Sequence, residues 1–341
     1  MENTSEPTTV TPAIPIDATP VETTNGLHPA HRQQVADNIK ASVSANTITA
    51  YRSDITDFQI WCDHYGYTSL PAAPETIAAY ISELANPPDD RDPKKASTLD
   101  RRLAALGRHH KTNGHENPCA HETVRTARQG IRNTIGVKQS RKTELGIADL
   151  RAIVQLMDPD KPGDIRDKSL LLLGFTTAMR RSELAALQHT DLENHPKGLI
   201  VYKRRSKTDQ QSQGKHIEVA YGKHSDTCAV IATRQWLDHA NITTGPIFRP
   251  VNKGGTIDHT RPLAPQAIAR IVKKHVTRIG HDPKAFAGHS MRRGFATEAA
   301  RIEVPDRIIA QTTGHASTKS LDPYIADSKK MVDPPNGYLD L

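Results

Sequence analysis

From Ser44 onward the apolar side chains keep a helical period over most of the chain, and that spacing restricts the fold more than any other feature. Ile48, Tyr51, Ile55, Phe58, Cys62 and Tyr65 recur at alternating steps of three and four, the single apolar stripe of an amphipathic helix. Gly66 ends it. A second helix is predicted from Pro74 through "PETIAAYISELA", with proline in its first turn and Ile77, Tyr80, Ile81 and Leu84 on one side. After the break "PPDDRDP", the segment "STLDRRLAALGRHHKTNG" takes Ser97 as N-cap and turns Leu99, Leu103 and Leu106 inward, leaving Arg101, Arg102, Arg108 and Lys111 for the surface. A fourth helix, "HETVRTARQGIRNTIG", carries Arg125, Arg128 and Arg132. Such arginines suit a solvated helix face as well as a polyanion contact.

The period changes once. In the second half, "DIRDKSLLLLGFTTAMRRSELAALQHTDL" reads as a largely buried helix, a turn at Thr176 to Ala178, and a short helix with Glu183, Leu184 and Leu187. Two β-like runs follow, "GLIVYKRR" and "KHIEVAY", on either side of "SKTDQQSQG", a stretch of turn formers; this predicts a hairpin with Lys207 at its tip. Helices then resume at "SDTCAVIATRQWLDHA" and "APQAIARIVKKHVTRIG" and again around Tyr324. The fold class is mainly α in two domains, one all-helical and one mostly helical with a small β-sheet or hairpin. Residues 1–26, nearly devoid of large apolar side chains, are expected to form a flexible arm. The helical domain is placed at 27–136, a charged linker at 137–144 and the second domain at 145–341.

Composition narrows the function classes. The longest apolar run, Leu170 to Phe175, is far too short for a bilayer span, which needs roughly 18–20 residues. The start "MENTSEPTTV" lacks the basic and apolar regions of a secretory signal. Cys62, Cys119 and Cys228 form no CxxC pair, which argues against a zinc ribbon or disulfide framework and for a reducing cytosol. A net charge of +7 with a pI near 9.2 suits a polyanion partner. His109, His110 and His115 flank a helix end without zinc-ligand spacing, and neither an HExxH nor a GxxxxGK[ST] motif is present. No metal, nucleotide or other cofactor is implied.

The run "AGHSMRRGFAT" at 287–297 sets a sharper question. Read alone, it is either an exposed basic helix start or a phosphate site. His289 and Arg292, three apart, share a helix face, while Arg293 is turned away. An imidazole and a guanidinium fork on one face can hold an anion.

Four segments in order, "TTAMRRSELAAL", "SKTDQ", "GHSMRRGFAT" and "TGHASTKSLDPYI", resemble the active-site boxes of the tyrosine recombinases, the phage-integrase family. Chain length, the four-helix first domain and "PIDATP" in the arm are similar to its Cre-like branch. The resemblance implies that Arg180 is the first arginine, Glu183 its acidic neighbour, Lys207 the hairpin lysine, His289 and Arg292 the central pair, His315 a further phosphate contact and Tyr324 the nucleophile. Arg181 and Arg293 are expected to be bystanders. Ala178 stands where the family has glycine, and His315 matches the wider family rather than Cre, which has tryptophan there.

The chemistry is physically coherent. Two guanidinium groups can hold the charge that in-line attack spreads over the non-bridging oxygens of a phosphodiester. A tyrosine hydroxyl, with an ordinary pKa near 10, needs a positive site and a proton acceptor, for which His289 is the candidate. Lys207 would protonate the departing 5′ oxygen. Glu183 would orient His289 or an arginine, or form a simple surface ion pair. The expected partner is double-stranded DNA with an inverted-repeat target, clamped by both domains and bound as a homotetramer on two sites, in the cytoplasm and nucleoid-associated. The helix with Arg101, Arg102 and Arg108, and the helix starting at Gln266 with Lys273 and Lys274, are the expected DNA contacts. A tyrosine-type topoisomerase and a catalytically silent DNA-binding protein are the alternatives.

Overall fold

The computed structural model describes residues 28–41, 43–136, 142–204, 214–315 and 317–328. The chain divides into two compact units, Met1–Gln139 and Ser140–Leu341. The arm over 1–26 lies outside the described residues. So does Lys207.

In the first unit, α1 (Pro29–Ala41) precedes α2 (Ala45–Tyr65), α3 (Pro74–Ala85), α4 (Ala96–Thr112) and α5 (Glu122–Ile135). Local chemistry sets the ends of α2: the Ser44 side chain accepts from the Thr47 amide, and Gly66 closes the helix in the left-handed conformation at φ 72°. The apolar stripe is the core side. Ile55, Phe58 and Cys62 of α2 meet Ile77, Tyr80 and Ile81 of α3, Leu99, Leu103 and Leu106 of α4 and Val124 of α5. Helix α4 starts earlier than its serine suggests, since Lys95 occupies the extended cap position and Ser97 lies inside the first turn.

The second unit is built on α7 (Pro162–Thr176), whose Leu170, Leu171, Leu172 and Leu173 are all buried. Around it lie α6 (Ile147–Gln155), α8 (Arg181–Ala185), α9 (Ala229–His239), α10 (Pro265–Arg278) and α11 (Ser290–Arg301). The expected hairpin is a three-stranded antiparallel sheet of order β1 (Leu192–His195), β2 (Gly198–Lys203) and β3 (Lys215–Ala220). Strand β1 was not expected: its "LENH" is intermediate or exposed throughout, so no apolar alternation announces it. Leu199 and Val201 of β2 and Ile217 and Val219 of β3 face the core. Short helices α12 (Asp306–Thr313) and α13 (Asp322–Ser328) close the unit, with Ile309 and Leu321 buried against Ala296 and Ala299 of α11.

Two details locate the site. Helix α11 crosses the backbone at Leu145 so closely that a Cβ at Gly294 would stand 1.8 Å from the Leu145 carbonyl oxygen, which explains the glycine in the basic run. Of the stretch expected as a linker, Thr143 donates its amide to the Ala285 carbonyl at 2.8 Å, so residues 142–144 are tied to the second unit.

Candidate active site

The turn after α7 positions the first arginine. Ala178 takes φ 48°, the left-handed conformation that favours glycine, and Arg180 then becomes the extended cap residue of α8. The Arg180 amide donates to Glu183 Oε2 at 2.9 Å and its Nη1 to Glu183 Oε1 at 2.8 Å. Glu183 therefore pairs with an arginine, and its side chain is buried rather than on the surface. The opposite oxygen also receives Lys203, whose Nζ lies 2.9 Å from Oε2. Burial raises the pKa of Glu183, but Lys203 and then Arg180 more than offset this, and the carboxyl titrates below its ordinary range.

Helix α11 delivers the central pair. His289 caps it and Arg292 lies one turn on, buried, with Nη1 donating to the Ala178 carbonyl at 3.0 Å. That bond ties α11 to the turn that presents Arg180. Burial, and then Arg180, hold the Arg292 guanidinium down to about 10. His289 opens to solvent on one side. The protein around its ring, followed by Arg292, Arg181 and Arg180, keeps its pKa below the ordinary imidazole value.

The remaining groups come from the end of the chain. Gly314 ends α12 in the left-handed conformation at φ 67°, and His315 follows with Nδ1 2.8 Å from Thr313 Oγ1. Its ring stacks on that of Tyr324 in α13, centroids 5.8 Å apart. Burial, then Arg292 and Arg180, push His315 down to about 4. Arg180, Glu183, His289, Arg292, His315 and Tyr324 thus gather at one place in the second unit.

Two residues at the site were not anticipated. Lys203 stands in phase with Leu199 and Val201, and this period of two was the available signal that it points inward. Arg293, expected to be a bystander, donates to Asp327 Oδ2 at 2.9 Å, approaches Glu144 at 3.6 Å and sets its guanidinium 5.9 Å from the Tyr324 ring centroid. It ties α13 to α11.

The expected DNA contacts divide. Arg108 and Gln266 are exposed and Lys273 is half-buried. Arg101 is partly exposed and paired with Asp54. Arg102 is a correction: it is buried, paired with Asp57 and bonded to the Tyr80 hydroxyl, because it follows Leu99 by three positions on the apolar side of α4. Lys274 keeps an exposed stem, but its Nζ lies 3.1 Å from both Asp164 and Asp167.

Those two aspartates, with His275, are the group among the described residues whose ligand atoms, within 4.8 Å of one another, could hold a metal ion. Lys274, Arg278 at 3.2 Å and Arg166 at 2.6 Å already neutralise them. The group therefore reads as a buried ion network that fastens α10 to α7.

Two guanidinium groups and two imidazoles around a tyrosine, on a mostly helical unit, form an arrangement suited to holding a phosphate beside a side-chain hydroxyl. Residues 145–331 match the phage integrase family and residues 38–117 the phage integrase N-terminal SAM-like domain. The integrase/recombinase XerD homologue of Selenomonas ruminantium is 40% identical over 298 residues, covering 86% of this chain and 85% of that protein. Recombinase Cre of Escherichia phage P1 is 24% identical over 331 residues, covering 92% of each. Two solved structures share the fold. The Tn1549 transposon integrase in complex with transposon right end DNA has a TM-score of 0.58 at 17% identity, covering 88% of this chain and 97% of that one. A lambda integrase dimer bound to a core site has a TM-score of 0.53 at 16% identity, covering 88% and 96%. The chain belongs to the phage integrase family and is a tyrosine recombinase. No helix among the described residues is long and apolar enough to cross a membrane.

Proposed function

We propose that this chain cleaves and rejoins double-stranded DNA at specific sites through a transient 3′-phosphotyrosine on Tyr324, and exchanges strands between two inverted-repeat targets. The observation that carries the reading is the convergence of Arg180, Arg292, His315 and Tyr324, from four separate segments, with Glu183 buried behind Arg180. Arg180 and Arg292 hold the non-bridging oxygens, and His315 adds a contact to one of them. The Tyr324 oxygen attacks phosphorus, His289 takes its proton, and the bond from phosphorus to the 5′ oxygen breaks. Lys207 gives the departing 5′ oxygen its proton. A 5′ hydroxyl from the partner duplex then attacks the phosphotyrosine and releases Tyr324, so the energy of the original linkage is conserved and no nucleotide is consumed.

Exchange between two duplexes requires a cut at two positions in each, which makes a homotetramer on paired sites the natural assembly. Its place of action is the cytoplasm, on the nucleoid. The relatives' names, XerD homologue and recombinase Cre, support recombination over relaxation of supercoils. The test is selection of bound sites from random DNA, followed by a recombination assay on two copies of the site recovered. Recombinant junctions are expected; relaxation of a supercoiled plasmid without junctions would assign the chemistry to a topoisomerase.

A further inference from the structure

The mechanism above does not use Lys203. Its side chain is only 5% exposed, a costly place for an ammonium beside two guanidinium groups unless a carboxylate accompanies it. Glu183 is that carboxylate. It divides itself, giving Oε1 to Arg180 Nη1 and Oε2 to Lys203 Nζ and to the Arg180 amide. The ammonium also reaches the other wall of the site, lying 3.5 Å from where a Cβ at Gly314 would stand, one residue before His315. Burial, Arg180 and Arg292 all press its pKa below the ordinary lysine range, and Glu183 opposes them. Without Lys203 the whole charge of Glu183 would fall on Arg180 and cancel the field that this arginine must present to a phosphate.

Resting on the recombinase reading, we propose that Lys203 is a positioning residue for strand cleavage: its ammonium draws Glu183 partly off Arg180, leaving that guanidinium charged, aligned and available to the scissile phosphate. Lys203 touches Glu183 and transfers no proton. This separates it from Lys207, whose role is proton donation.

Single-turnover formation of the covalent adduct on a nicked target duplex, at saturating protein, tests this. Lys203→Met should slow the adduct by roughly 10²-fold, the usual penalty for a misplaced clamp, with DNA affinity unchanged. A 5′-bridging sulfur, which needs no protonation to leave, should rescue Lys207→Ala and leave Lys203→Met slow. With Glu183→Gln already in place, adding Lys203→Met should cost nothing more, because Lys203 acts only through that carboxylate. An unaltered rate in Lys203→Met, rescue of it by sulfur, or a further loss in the double variant would each overturn the proposal. If thermal unfolding shows that Lys203→Met alone does not fold, the double variant against Glu183→Gln decides on the same criterion. Absence of any adduct from the unaltered chain would sink both this proposal and the recombinase reading; a failed Lys203 arm with the adduct intact sinks this one alone.

Discussion

His315 sits against Tyr324 and is neutral at physiological pH, since burial and two arginines push it down to about 4. An imidazole in the unfolded chain titrates near 6.5. Between about 4 and about 6.5 the unfolded state therefore binds a proton that the native state does not, and stability falls as pH drops through that window. His289 shifts in the same direction, as do His109 and His110 in the first unit. Replacing His315 with Gln removes one of these titrations, and the melting temperature should decline less steeply over that range; identical slopes for the two proteins would contradict the assignment. Single residues also mark where the sequence could be read and where it could not. Arg180, Glu183 and Arg292 stood out by their motifs. Arg102 did not announce its burial, because its partners Asp57 and Tyr80 belong to α2 and α3, and helical periodicity says nothing of an acid some 45 positions away.

In the proposed mechanism cleavage depends most on α13, only seven residues long and dependent on its neighbours for its place. Ile325, with Leu321 just before the helix, packs it against α11, and Arg293 adds an ion pair to Asp327 and a ring contact to Tyr324. Arg293→Ala should leave DNA binding intact and slow adduct formation by about 10-fold or more, as expected when a reacting group loses its alignment. An unaltered cleavage rate would return Arg293 to the status of a bystander. Elements with strong local signals were legible: α2 showed its stripe and its terminal glycine. Strand β1 and helix α12 were not, being four and eight residues long and held by pairing and packing with distant segments. The hairpin was visible as two runs; the inward turn of the lysine at its end follows from its phase with Leu199 and Val201.

For the molecule as a whole, target reading falls to the exposed face of α10 in the proposed function. The exposed Gln266 stands in the first turn of α10, Arg270 is exposed beyond it, and Lys274 and Arg278 are drawn into the Asp164 and Asp167 network. Gln266 can pair with two atoms of an adenine, a contact worth about 1–3 kcal/mol of discrimination. Gln266→Ala should relax preference at one base position per half-site and leave the salt dependence unchanged, whereas Lys273→Ala should weaken all sequences alike and reduce the salt slope by about one unit. Binding measured across single-base variants separates the two, and an unchanged preference profile would remove Gln266 as a reader. Two helical units and the gathering of the motif residues were legible because helical period and four ordered boxes are local signals; the buried ion networks were not, since they pair residues from helices far apart in the chain. The recombinase mechanism stands on a covalent bond between Tyr324 and DNA. The most direct measurement is a denaturing gel of labelled target incubated with the unaltered chain and with Tyr324→Phe. A protein-linked band is expected from the first and, with binding retained, none from the second; a protein-linked band that persists in Tyr324→Phe would mean that another residue attacks the phosphate.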